Sequence, residues 1–102
     1  MTLKEQVSQI IFDTIEEINQ QLPEGSRLQK SKETILLGKN GKLDSLGLVN
    51  FIVATEQRVE DELGTIITLA DEKAMSQKVS PFKSINTLIN YITELLEEPS
   101  DE

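Results

Sequence analysis

Large apolar side chains recur three and four residues apart through the middle of this chain, the spacing that forms one face of an α-helix. The run starts at Leu48 and continues over roughly five turns, so it restricts the segment to a helix with one buried side. The members of this stripe are Leu48, Phe51, Ile52, Thr55, Val59 and Leu63. We predict a helix from Asp44 or Ser45 to Leu63, ended by Gly64.

Two further amphipathic helices are predicted near the ends of the chain. Thr2 and Glu5 have the spacing of a capping box, and Pro23 blocks continuation, so the first helix should cover about residues 2–21. Ser84 is the predicted N-cap of the last helix. The apolar face of that helix comprises Ile85, Leu88, Ile89, Ile92, Leu95 and Leu96.

The connections between these helices are unequal in length. Residues 23–43 read as a long loop that is packed onto the core through four apolar anchors. These anchors are Leu28, Ile35, Leu36 and Leu37. The β-branched run 65–69 has no second strand to pair with, so we expect an extended, buried connector. Thr68 and Asp71 have cap spacing again, which predicts a short third helix over residues 69–76.

Together these elements predict an all-α fold, a small four-helix bundle with three longer helices and one short helix. Residues 1–98 form the predicted domain, and residues 99–102 form an acidic tail. Tyr91 is expected at the edge of the core, since its hydroxyl prefers a wet boundary. The residues predicted to be most buried are Ile11, Ile15, Phe51, Ile52, Ile89 and Ile92.

Composition excludes several classes of function. The chain has no Cys and no His, so disulfides, thiolate nucleophiles and the commonest general base are absent. A net charge of −8 disfavours nucleic acid and favours partners with basic docking surfaces. No apolar run reaches the ~20 residues of a membrane span, and the N-terminus lacks the pattern of a signal peptide. We therefore expect a cytoplasmic monomer without enzymatic activity of its own.

Asp44 and Ser45 stand where the long loop meets the central helix. Asp44 is a favoured N-cap residue, which leaves Ser45 as the first helical residue. A serine at that position lies beside the positive end of the helix dipole, where a phosphate group is stabilised. The simpler alternative is that the two residues are only a cap, as at many helix starts.

The run Leu43-Asp44-Ser45-Leu46, on a small acidic helical chain, resembles the acyl carrier proteins. The resemblance covers about residues 7–96. It implies that Ser45 carries 4′-phosphopantetheine through a phosphodiester, and that Asp44 helps orient Ser45 and magnesium-bound coenzyme A in the modifying transferase. It also implies three kinds of partner: a phosphopantetheinyl transferase, an acyl-loading ligase or acyltransferase, and a ketosynthase or other acyl-transfer enzyme.

Three positions depart from the pattern of the family's fatty-acid members. Lys42 stands where those members usually have glycine, and Gly47 and Asn50 replace two acids after the serine. Leu43 before Asp44-Ser45, and Gly47 after Leu46, resemble carriers of specialised pathways, including polyketide-type and D-alanyl-type carriers. The departures leave the attachment motif intact and disfavour a housekeeping role in fatty-acid synthesis.

A partner-binding surface is predicted on the side of the central helix away from its buried stripe. Its residues are Leu46, Val49, Val53, Glu56 and Glu60.

Two other classes of protein are alternatives to a carrier. A helical interaction module without a prosthetic group fits the same pattern, whereas a calcium-binding protein is excluded because alternating Asp/Asn ligands with a terminal Glu are missing.

Overall fold

Three α-helices form a bundle in the computed structural model, which describes residues 2–36, 43, 45–69 and 80–97. They are α1 (Leu3–Asn19), α2 (Ser45–Leu63) and α3 (Ile85–Glu97), and a 3₁₀ turn lies at Glu24–Ser26. The described residues contain no β-strand, so the all-α prediction is confirmed for them. Of the predicted short helix over residues 69–76, Leu69 is not helical and the rest lies outside the described residues.

Helix α1 begins with the predicted capping box. The Glu5 amide donates to the Thr2 hydroxyl at 3.1 Å, and the Glu5 carboxylate accepts from the Thr2 amide at 3.1 Å. The hydrogen bonds that the Thr2 amide and the Thr2 hydroxyl donate to the Glu5 carboxylate hold the pKa of the Glu5 carboxyl below its ordinary value. The helix ends at Asn19, two residues before the predicted end, because the Gln21 amide turns back to the Ile18 carbonyl at 2.9 Å.

The side chain of Asn19 fixes the start of the long loop. Its amide nitrogen donates to the Leu28 carbonyl and its oxygen accepts from the Leu28 amide, both at 2.8 Å. Both polar groups of the Leu28 backbone are thereby satisfied beside the bundle, and the Leu28 side chain is buried. One asparagine therefore docks the loop onto the end of α1.

The far part of the loop is tied to the start of α3. Ile35 forms an isolated antiparallel bridge with Ser84, and the Leu36 amide donates to the Lys83 carbonyl at 2.8 Å. Of the predicted anchors, Leu28 and Leu36 are buried, Ile35 is half-buried, and Leu37 lies outside the described residues. A packed loop is thus confirmed for the described part of it.

Ser84 caps α3 as predicted. The Thr87 amide donates to the Ser84 hydroxyl at 3.2 Å, and the Ser84 amide donates to the Thr87 hydroxyl at 3.0 Å. The expectation for Tyr91 was wrong: it is only 4% exposed, inside the core rather than at its edge. The next residue, Ile92, and Leu88, which lies three residues earlier, are buried too, so the ring of Tyr91 extends the apolar face of α3.

The core lies between the inward faces of the three helices. All six residues predicted to be most buried are buried, with Phe51 fully enclosed. Helix α1 packs against both α2 and α3. Near the start of α1, Gln6 faces Leu63, whereas Glu17 pairs with Arg58, so α1 and α2 run in opposite directions.

The connector after α2 differs from its prediction. Gly64 has φ of +69°, the left-handed conformation that ends a helix and that glycine adopts without strain. Leu69 is fully buried, but Ile66 is 77% exposed, so the expected burial of the whole connector was wrong. Apolar, β-branched composition indicated burial of the whole run, whereas Leu69 is buried in the core and Ile67 packs half-buried against it.

Candidate functional site

The candidate attachment residue stands at a helix start. Helix α2 begins at Ser45, and Leu43 just before it packs half-buried against the core. The predicted N-cap residue, Asp44, lies outside the described residues. The predicted position of Ser45 at the first residue of the helix is confirmed for its backbone, and the positive end of the helix dipole lies there.

The two sides of α2 differ sharply in exposure. Phe51, Thr55 and Val59 are fully buried against the bundle. On the other side, Leu46 is 69% exposed, Val49 is 53% exposed and Val53 is 45% exposed. These three form what we call the exposed row, at spacings of three and four residues that place them on one helix face. Their predicted exposure is confirmed.

No charged residue occurs in α2 before Glu56. The first three turns of the helix therefore present apolar and neutral polar groups to solvent. Asn50, which is exposed, is the polar neighbour of the exposed row in this part. A protein that bound these three turns of α2 would therefore meet apolar and neutral polar groups rather than charges.

Glu56 was predicted to contact partners, but it has a partner within the chain. Its carboxylate accepts a hydrogen bond from the Leu69 amide at 2.7 Å, in a half-buried setting. The contact brings the connector back along α2. Sequence spacing gave no signal for it, because Glu56 and Leu69 are thirteen residues apart and meet only after the chain reverses at Gly64.

Glu60, the last of the predicted partner residues, is exposed, as is its neighbour Asp61. Arg58 lies between Glu56 and Glu60 in the sequence, and its side chain points to α1. It donates to the Glu17 carboxylate from Nε at 3.2 Å and from a terminal nitrogen at 2.9 Å. This exposed ion pair contributes little stability. Arg58 also lies 3.7 Å from the Glu62 carboxylate, one turn further along α2.

A groove of about 540 Å³ lies between α1 and α2 on the side of this ion pair. It is lined mainly by polar and charged groups, including Asp13, Glu17 and Asp61. Within the described ranges, no three His, Cys, Asp or Glu side chains come together as a metal-binding group. No helix in those ranges is long and apolar enough to cross a membrane.

Comparison with models of protein families, with curated proteins and with solved structures gave no match. The resemblance of the Leu43–Leu46 motif to acyl carrier proteins therefore remains a prediction from the sequence. What the structure adds is the setting of the motif: a helix start, a buried side that belongs to the core, and an exposed apolar row that does not.

Proposed function

We propose that this chain is an acyl carrier protein, which carries acyl groups as thioesters on a 4′-phosphopantetheine arm attached to Ser45. The observation that supports this most is the start of α2 at Ser45, followed at once by a strongly exposed Leu46. We further propose that the complete fold is a four-helix bundle, with a short helix over residues 69–76, and that the protein works as a cytoplasmic monomer.

The start of α2 fits a phosphodiester. The positive end of the helix dipole stabilises a bound phosphate group, and its effect is strongest within the first turn. When attached, 4′-phosphopantetheine supplies a terminal thiol that can form thioesters. Since the chain has no cysteine, it has no thiol of its own for this chemistry.

The residues of the chain would bind and present rather than catalyse. Without His or Cys, loading and transfer must be done by partner enzymes. These are the phosphopantetheinyl transferase that modifies Ser45, a ligase or acyltransferase that loads the acyl group, and a ketosynthase or other enzyme that accepts it. The exposed row begins one residue after Ser45, so any enzyme that reaches the serine also meets these apolar side chains.

The neutral first turns of α2 favour a specialised pathway over general fatty-acid synthesis. Rim charges chiefly set encounter rates and partner discrimination. Gly47 and Asn50 stand where the fatty-acid carriers of the resembled family have acids, so enzymes that depend on those acids should recognise this chain poorly. A polyketide-type carrier or an aminoacyl carrier of the D-alanyl type fits this surface.

The exposed row also fits an interaction module without a prosthetic group, and intact mass separates the two functions. Incubated with coenzyme A, Mg²⁺ and a broad-specificity phosphopantetheinyl transferase, the protein should gain the mass of one phosphopantetheine. Ser45→Ala should gain nothing. Ser8→Ala is the matched control, because it removes another helical serine hydroxyl, which donates a hydrogen bond to the Lys4 carbonyl. It should be modified like the unaltered protein.

Unaltered protein that gains no mass would contradict the proposal and favour the interaction module. Mass gained by Ser45→Ala would place the modification elsewhere and contradict the assignment of Ser45.

A further inference from the structure

The first turn of α3 takes hydrogen-bond acceptors from the long loop. The Ile85 amide donates to the Thr34 carbonyl at 3.0 Å, and the Asn86 amide donates to the Lys32 carbonyl at 2.9 Å. The first amides of a helix have no acceptor within the helix itself. The loop therefore supplies part of the cap of α3, although it lies far earlier in the chain.

The same loop segment is held at α1. Asn19 makes two hydrogen bonds of 2.8 Å to the backbone of Leu28, and the Lys30 ammonium lies 2.6 Å from the Glu16 carboxylate. We call residues 28–36 the strap. It is bound to α1 at its beginning and to the start of α3 at its end.

The strap also covers part of the core. Its Leu28 and Leu36 side chains are buried. At its end, Ile35 forms an antiparallel bridge with Ser84, and the Leu36 amide donates to the Lys83 carbonyl at 2.8 Å. Detachment of the strap would expose its buried side chains and the first amides of α3 to water together.

Helix α2 is held in the bundle by a different set of contacts. Phe51, Thr55 and Val59 are buried in the core, and Arg58 pairs with Glu17 on α1 at 2.9 Å. Within the part of the chain that the structure describes, the hydrogen bonds that join the strap to other elements go to α1 and to the start of α3. Proteins open locally in units that have their own contacts. The strap and the first turn of α3 have the contacts of such a unit.

Asn19 makes the stronger polar contact between the strap and α1. The ion pair of Lys30 with Glu16 is exposed, so it contributes little stability. Asn19 instead satisfies both the amide and the carbonyl of Leu28 in a half-buried setting. Loss of the Asn19 side chain would leave both backbone groups without these partners.

We propose that the strap is a latch: the strap and the first turn of α3 open together as one unit while α1 and α2 stay folded, and Asn19 is the positioning residue that sets how often they open. The inference goes beyond the proposed function and does not depend on it. It gives the bundle an opening between α1 and α3 that leaves Ser45 and the exposed row of α2 in place.

Amide hydrogen exchange of the unaltered protein, measured by NMR at low urea concentrations, tests the latch. The amides of Leu36, Ile85 and Asn86 should share one opening free energy, lower than the free energy of global unfolding. Three unrelated opening free energies, or exchange only by global unfolding, would overturn the proposal. This measurement needs no variant, so it decides the matter even if a substitution prevents folding.

Asn19→Ala tests the positioning residue. It should speed exchange at Ile85 and Asn86 about tenfold, because it removes two hydrogen bonds that hold the strap while it leaves the acceptors of those two amides unaltered. Gln20→Ala is the matched control, since it removes the exposed amide side chain of the next residue, and should change nothing. Faster exchange at Leu28 alone would mean that Asn19 fixes only the start of the loop, and the positioning role would be wrong.

Val59→Ala separates the latch from the rest of the bundle. It removes buried apolar area in α2, so it should lower the urea midpoint of global unfolding. Because α2 stays folded when the latch opens, exchange at Ile85 and Asn86 in low urea should keep the rate of the unaltered protein. If exchange at these two amides accelerates as the midpoint falls, the start of α3 opens only with the whole bundle and the latch does not exist.

Discussion

The two sides of α2 carry the same kinds of residue and have different roles. On one side Phe51, Thr55 and Val59 are enclosed by the bundle; on the other Leu46 and Val49 are mostly exposed. Burial of an apolar side chain stabilises the fold by about 1.5–3 kcal/mol, and an exposed side chain contributes little of this. The buried side therefore accounts for stability, and the exposed row is free to bind a partner.

The difference shows that apolar character alone does not identify the core. What distinguishes Phe51 from Val53, two residues later, is helical phase: Phe51 falls on the inward stripe and Val53 falls opposite to it. An apolar row that lies opposite the core stripe, and that the described residues leave exposed, is a candidate interaction surface.

The largest expected effect is on the buried side. Phe51→Ala should lower the free energy of unfolding by about 3–5 kcal/mol, because it removes a fully buried ring and leaves a cavity. Val53→Ala, on the exposed side of the same turn, should change it by less than about 0.5 kcal/mol. Urea unfolding of both variants measures the contrast. Equal losses would mean that the two sides do not differ in the way we describe.

A smaller effect is expected from the exposed row, in recognition rather than stability. Leu46→Ala should lower kcat/KM for phosphopantetheine transfer about tenfold, equivalent to ~1.4 kcal/mol, because Leu46 is the exposed apolar residue next to Ser45. Asn50→Ala is the control, an exposed polar residue near the row, and should have little effect. If Leu46→Ala lowered the free energy of unfolding and left transfer unchanged, the exposed row would contribute to stability rather than to recognition.

The smallest effect is expected at the polar residue of the buried side. The Thr55 hydroxyl donates to the Phe51 carbonyl at 2.8 Å, within the same helix. Thr55→Val loses this hydrogen bond and gains a buried methyl group, so the free energy of unfolding should change by less than about 1 kcal/mol. Thermal and urea unfolding measure it. A loss above about 2 kcal/mol would show that the core depends on this hydroxyl more than its local bond indicates.

The sequence predicted the parts of the fold that depend on local pattern. The helical stripe through Phe51, the Thr2–Glu5 capping box and the Ser84 cap each depend on residues within a few positions of one another, and each is present in the structure. The exposure of Val49 followed from the same phase argument.

The parts that the sequence did not predict depend on distant residues. The Asn19 contact with Leu28 and the Glu56 contact with Leu69 form only after the chain has turned. Ile66 lies in a run that is apolar and β-branched throughout, so nothing local marked it as exposed. The role of Ser45 depends on chemistry that a partner enzyme would perform, which the fold alone does not determine.

Peptide mapping of the modified protein most directly tests whether Ser45, the first residue of α2, is the attachment site. After incubation with coenzyme A and a phosphopantetheinyl transferase, proteolysis and fragmentation should locate a single modification on Ser45, at the start of α2, with every other serine unmodified. Modification of another serine, or none at all, would contradict a carrier that uses the start of α2.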